Sequence, residues 1–221
     1  MKKLLTLLAI TVLGVCVTVV LATVVGTDHD MSVGGGSYAD TTATWVCVFC
    51  HTPHQASAAS GQDPLWNHTL SSTANYGTYD SDTIDATDIT DIGGAAAGSA
   101  NVSNLCMSCH DGTIAVGSLW NPPNVNPPAD TTTKVTGGAN LGTDLSDDHP
   151  INFTYDSTLA TNDGELNTPV STSWVDAGQT VPLFSSKVQC ASCHDPHDDT
   201  NQPFLVKGNT DSALCTTCHI K

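Results

Sequence analysis

Apolar residues are concentrated at the start of the chain. After Lys2 and Lys3, an apolar run interspersed with Thr extends from Leu4 to Val25, and a polar, acidic stretch begins at Thr27. Beyond that point no long stretch repeats at the 3.6-residue period of an amphipathic helix. Apolar positions come in short groups, such as the Pro64-Leu65-Trp66 patch before Asn67 and His68, separated by segments rich in Thr, Ser, Asn, Asp and Gly. The pairs Gly93-Gly94 and Gly137-Gly138 read as turns. Residues 121–128, with four prolines, read as an extended linker or surface arm, and the Asp-rich stretch 79–94 as a solvated acidic loop. Its spacing does not match an EF-hand calcium loop. The expected structure is mostly irregular coil with little sheet, and with short helical turns at four Cys-x-x-Cys-His frames.

The leading run is longer than an ordinary signal core of about 7–15 residues and close to the roughly 20 that span a bilayer. A cleaved secretory signal over residues 1–26 is the first reading, with cleavage after Ala22 or Gly26. A retained anchor and a lipoprotein signal on Cys16 are the alternatives, and each takes the bulk of the chain out of the cytoplasm. With the signal removed, residues 27–221 form one domain with no stable membrane span.

Composition sharpens this picture. The chain has 221 residues, no Arg, six Lys and 22 acidic residues, for a formal charge of -16; without residues 1–26 four Lys remain and the charge is about -18. A nucleic-acid partner is excluded on this basis, because neutralising phosphates needs clustered cations. The shortage of Leu, Ile and Phe leaves little material for a large side-chain core. Nine Cys and nine His in such a background point to a cofactor as the missing core.

Eight of the cysteines fall into four identical frames: Cys47-Val-Phe-Cys50-His51, Cys106-Met-Ser-Cys109-His110, Cys190-Ala-Ser-Cys193-His194 and Cys215-Thr-Thr-Cys218-His219. C-x-x-C-H is the attachment motif of c-type haem. Two thiols three residues apart on a helical turn reach the two vinyl groups, and the next residue offers its imidazole to the iron. Zinc sites do not require His after every Cys pair, and four C-x-x-C disulfides would staple almost nothing. Four covalent haems, numbered I to IV in chain order, are therefore expected. Only 25 residues separate Cys190 from Cys215, which makes III and IV expected neighbours.

Four His are proximal ligands (His51, His110, His194, His219), and five remain for four sixth positions: His29, His54, His68, His149 and His197. Met1 leaves with the signal and Met107 lies inside a motif, so Met31 is the free methionine. Bis-His ligation by His54, His68, His149 and His197 is expected, at low potential because no Met ligand raises it. His29, flanked by Asp28 and Asp30, is the spare. His54 and His197 each follow a proximal His by three residues, on the same local turn. Either is badly placed for the far face of its own haem and suited to a different haem nearby; the alternative is an exposed loop residue.

The segments 47–54 (CVFCHTPH), 64–68 (PLWNH), 106–113 (CMSCHDGT), 147–150 (DDHP) and 190–197 (CASCHDPH) resemble the multihaem c-type cytochromes with doubled CXXCH motifs. With four haems and a terminal CTTCHIK, the chain is most similar to the tetrahaem extracellular cytochromes that polymerise into filaments, the OmcE type. The resemblance implies closely stacked haems as the core of a largely irregular protein, assembled head to tail as a homopolymer. It implies His54 as the ligand of haem III in a neighbouring copy, with His197 on haem IV and His68 and His149 on I and II. It also implies a conducting polymer at the cell surface or outside the cell, carrying electrons to an external acceptor. A soluble periplasmic shuttle is the alternative. An enzyme is not expected, because all four motifs end in His and enough His exist to close every iron. The sequence does not name the redox partners.

Overall fold

The computed structural model describes residues 24–56, 65–93 and 101–220. The expected export signal, with Cys16 and the Ala22 cleavage point, lies outside the described residues except for its last positions, 24–26. No described helix is long and apolar enough to cross a membrane.

The described chain is mostly coil, and its helices are short. A 3-10 turn at Val46–Phe49 carries the first motif. Helix α1 (Ser103–His110) carries the second, α3 (Cys190–Cys193) the third and α4 (Cys215–Cys218) the fourth. The helix outside the motifs, α2 (Ser157–Asp163), is capped by the Asp156 carboxylate and stopped by Gly164 at φ +75°. The sheet is a two-residue antiparallel pair, β1 (Phe153–Thr154) with β2 (Lys187–Val188), in which Phe153 faces Val188. The fold is therefore the irregular, motif-centred one expected from the sequence.

Local sequence explains how so polar a chain holds its shape. Asp accepts from both the N–H and the hydroxyl of the residue two ahead at Asp30–Ser32, Asp40–Thr42, Asp111–Thr113, Asp130–Thr132 and Asp198–Thr200. These turns satisfy backbone donors that have no helix or sheet to join. Some carboxylates also tie distant segments. Asp40 accepts from Ala129 and Asp130 N–H at 2.9 and 3.0 Å, and the Thr42 hydroxyl donates to the Pro127 carbonyl. The proline-rich stretch is thus a surface arm strapped to the first motif's segment.

Among the described residues the apolar side chains gather in three small clusters, and each abuts a motif. Met31, Ala43, Phe49, Val116 and Val135 pack with Cys50 and Cys109. Tyr76, Ile92 and Leu145 surround Met107, inside the second motif. Phe153, Tyr155, Leu159, Val175, Val181, Leu183 and Val188 pack against Leu214 and Cys218. Met31, the methionine the sequence left free, is buried in the first of these. The acidic stretch is exposed at Asp80, Asp82, Asp85 and Asp88, yet it is anchored by Ile89 and Ile92.

Candidate haem sites

Each motif is closed by its own backbone. At motifs I, III and IV the proximal His N–H closes the turn by donating to the carbonyl of the first Cys, His51 to Cys47 at 2.8 Å, His194 to Cys190 at 3.0 Å and His219 to Cys215 at 2.9 Å, while motif II lies within α1. The same three His sit on isolated antiparallel bridges, His51 with Trp66, His194 with Leu205 and His219 with Leu166. His110 instead ends α1 and is followed by Asp111, a buried carboxylate that accepts from the Tyr76 hydroxyl at 2.7 Å.

None of the eight motif cysteines is joined in a disulfide. Their neighbours follow chain order. Cys50 and Cys109 meet in one apolar cluster, where burial pushes the Cys50 thiol up to about 12 and the Cys109 thiol higher still. Cys106 lies close enough to Cys190 to hold the Cys190 thiol down. Helices α1 and α3 pack together there. Buried Gln189 accepts from the Ser103 hydroxyl and donates to Asn152 Oδ1 at 2.9 Å, and the Ser103 hydroxyl accepts from Cys190 N–H at 3.0 Å. Burial and then the charges of Cys190 and Cys215 raise the Cys193 thiol, and burial and then the charge of Cys193 raise the Cys218 thiol to about 11. Motif I therefore adjoins II, II adjoins III, and III adjoins IV.

The imidazoles form pairs that the sequence did not give. His51 lies with its ring centre 6.0 Å from that of His197, His110 lies 6.1 Å from His29, and His219 lies 6.4 Å from His149. A ligating imidazole nitrogen is about 2 Å from its metal and about 1.1 Å from its own ring centre, so two imidazoles across one iron stand about 6.2 Å apart. The observed separations match that span, so these residues fit the group that the motifs imply. A second fit is the Trp66 indole N–H, which is buried with no hydrogen-bond partner among the described residues and lies edge-on to His51. It could serve a propionate oxygen.

These pairs differ from the sequence-based ones. His197 faces motif I rather than IV, His149 faces motif IV, and His29, the expected spare, faces motif II. His68 is buried, with Nδ1 on the Thr69 carbonyl at 2.9 Å and Nε2 on the Ala115 carbonyl at 3.1 Å. Among the described residues it makes no ring contact with a proximal imidazole. His194 has its Nδ1 on the Pro203 carbonyl at 3.0 Å and no imidazole beside it among the described residues.

The two doubled motifs also differ. Asp195 accepts from both the N–H of His197 and its ring Nδ1, at 2.9 and 3.2 Å. A carboxylate on the far ring nitrogen fixes the tautomer and strengthens a ligating imidazole. Thr52, at the matching place in the first motif, donates to the His54 carbonyl instead, so the exposed His54 ring is not tied down by its own turn. Asp195 is a positioning residue that the sequence reading passed over. The sign of it was the Asp between the two His of CASCHDPH.

Residues 183–221 match the doubled CXXCH motif family. The match covers the third and fourth motifs and supports a multihaem c-type cytochrome working in electron transfer, with haem held covalently. Among curated proteins none matches significantly.

Proposed function

We propose that the chain is an exported tetrahaem cytochrome whose irons carry His on both faces, and that it polymerises head to tail into an extracellular filament that conducts electrons to external acceptors. The observation that carries the reading is the unbroken order of motif contacts, with each motif's thiols against those of the next. Haem in that order supplies iron that takes one electron from a donor and passes it on. The protein's part is to hold neighbouring sites close, keep their faces apolar and fix the tautomer of each ligand.

Growth into a polymer rests on the two His left over at opposite roles. The His194 ring has no imidazole neighbour within the chain among the described residues, and His54 is exposed with its ring untied. A His54–iron bond to haem III of the next copy would close that site. A head-to-tail contact that does not close into a ring grows as a filament. Leu65 and Trp120, 52% and 56% exposed, add apolar surface on the same loops, because Thr52 N–H donates to the Leu65 carbonyl and Asn121 Nδ2 to the His54 carbonyl. The charge of about -18 per copy opposes this contact, so the interface must use the weakly charged Thr, Asn and Gly-rich segments or rely on screening.

Intact mass and a pyridine haemochrome assay test the haem count, and a redox titration tests the ligation. Four haems per chain with potentials near or below the hydrogen couple are expected. Fewer than four haems, or four well above that couple, would contradict the reading.

A further inference from the structure

We infer that His29 is the sixth ligand of the haem carried by Cys106, Cys109 and His110, and that His68 is a positioning residue that binds no iron. The inference rests on the tetrahaem reading above and names its ligand set. Counting favours His68, which stands next to the aromatic Trp66 and Asn67, over a His between two acids near the N-terminus. The folded arrangement reverses that preference.

Three observations converge on His29. Its ring centre is 6.1 Å from that of His110, the span that one iron between two imidazoles needs. Its Nδ1 lies 3.2 Å from the Pro196 carbonyl, the usual outer partner of a ligating imidazole, which leaves Nε2 as the free lone pair. Its segment is also built to hold it there. The Thr27 hydroxyl accepts from the His29 N–H, and Asp30 accepts from the Gly26 and Ser32 N–H groups. Gly36 fits against this turn so closely that a Cβ would lie 2.2 Å from the Thr27 carbonyl oxygen. Pro196 immediately precedes His197, which faces His51, so one turn of the third motif serves sites I and II together.

His68 is held in a different kind of site. Its ring is wedged between two backbone carbonyls, Nδ1 at 2.9 Å from that of Thr69 and Nε2 at 3.1 Å from that of Ala115, and its one N–H donates to one of them; Nε2 also lies 3.5 Å from Cys109 Sγ. Its neighbour Asn67 donates to the Val48 carbonyl at 2.7 Å and accepts from Asn121 N–H at 2.9 Å, while His68 bridges to Leu119. The Asn67-His68 pair is thus a strap between the first motif and the loop after the second. A buried ring enclosed by backbone in that strap, with no proximal imidazole beside it among the described residues, orders the approach of motifs I and II.

The test uses the haem-loaded full-length protein and variants H29A, H29M and H68L. Low-temperature electron paramagnetic resonance, carbon monoxide binding and haem content are read together. H29A is expected to keep the parent's haem number, to turn one further haem per chain high-spin and to bind one more carbon monoxide per chain than the parent. Added imidazole should return that haem to the low-spin state. H29M, which retains a ligand and covers the case of a poorly folding H29A, should move one potential upward. H68L should leave the spin-state populations as in the parent. Unchanged ligation in H29A, or one haem opened by H68L, would overturn the assignment. A parent with fewer than four haems would instead sink the tetrahaem reading itself, so the two failures are distinguishable.

Discussion

Asp40 offers a quantitative test of how this chain holds its first site together. Its carboxylate is 8% exposed and accepts from Thr42 N–H at 2.7 Å, Ala43 N–H at 2.9 Å, Ala129 N–H at 2.9 Å and Asp130 N–H at 3.0 Å, besides the Thr42 hydroxyl. Burial alone would raise its pKa, but the backbone donors outweigh it and bring the carboxyl down from 3.8 to about 2. A folded-state pKa below the unfolded one means stability that is present above the unfolded value and lost as pH falls through the folded value. The shift corresponds to roughly 2 kcal/mol, present in full above about pH 5 and gone near pH 2. D40N presents an NH2 group to backbone N–H donors and orphans at least one of them, so it should destabilise by about 2–4 kcal/mol at pH 7. At about 2–4 °C per kcal/mol for a chain of this size, that is a fall in Tm of roughly 4–16 °C. Scanning calorimetry of parent and variant from pH 7 down to pH 2 is the assay. The gap between them should narrow as pH falls below 4. A variant as stable as the parent at pH 7, or a gap that does not change with pH, would refute the reasoning.

Other outcomes follow from the same geometry. Gln189→Leu removes the acceptor of the Ser103 hydroxyl and one donor to Asn152 Oδ1 at the junction of motifs II and III, and should lower stability by about 1–3 kcal/mol, read in the same calorimeter. Gly117→Ala puts a Cβ 1.9 Å from the Asp130 carbonyl oxygen, against backbone that cannot rotate away, and should lose about 2–3 kcal/mol. Assembly should strengthen with salt, because screening shortens from about 30 Å at 0.01 M to about 8 Å at 0.15 M. Sedimentation at the two ionic strengths checks this, and polymer that dissolves as salt rises would contradict it. Asp195→Asn should shift one haem potential while leaving the haem count unchanged, since it alters the partner of the His197 ring and N–H and touches no motif residue's side chain; a redox titration with no shift would remove Asp195 from its positioning role.

The local parts of this structure were legible in the sequence, and the long-range parts were not. The C-x-x-C-H frames carry their own turns, because the spacing and the His N–H bond to the first Cys are set within five residues. The prolines of 121–128 marked a surface arm for equally local reasons. The imidazole partners depend on contacts across the whole chain: His29 meets the Pro196 carbonyl 167 positions away, and Asp40 reaches Ala129. Counting His could say how many were needed but not which ring faces which motif. The Asp-x-Ser/Thr turns were visible as composition and read only as loop, although they carry much of the order. Asn67 and Asn152 likewise stand in polar stretches, yet both are buried with their amides bonded to the Val48 and Thr90 carbonyls.

The most direct test of the account is cryo-electron microscopy of material sheared from the surface of the cells that make this protein. Filaments with four haems per repeat, and the His54 ring of one copy on the His194 haem of the next, are the predicted result. Dispersed particles with His54 away from any iron, and haem absorbance confined to the periplasmic fraction, would contradict it and leave a soluble electron shuttle.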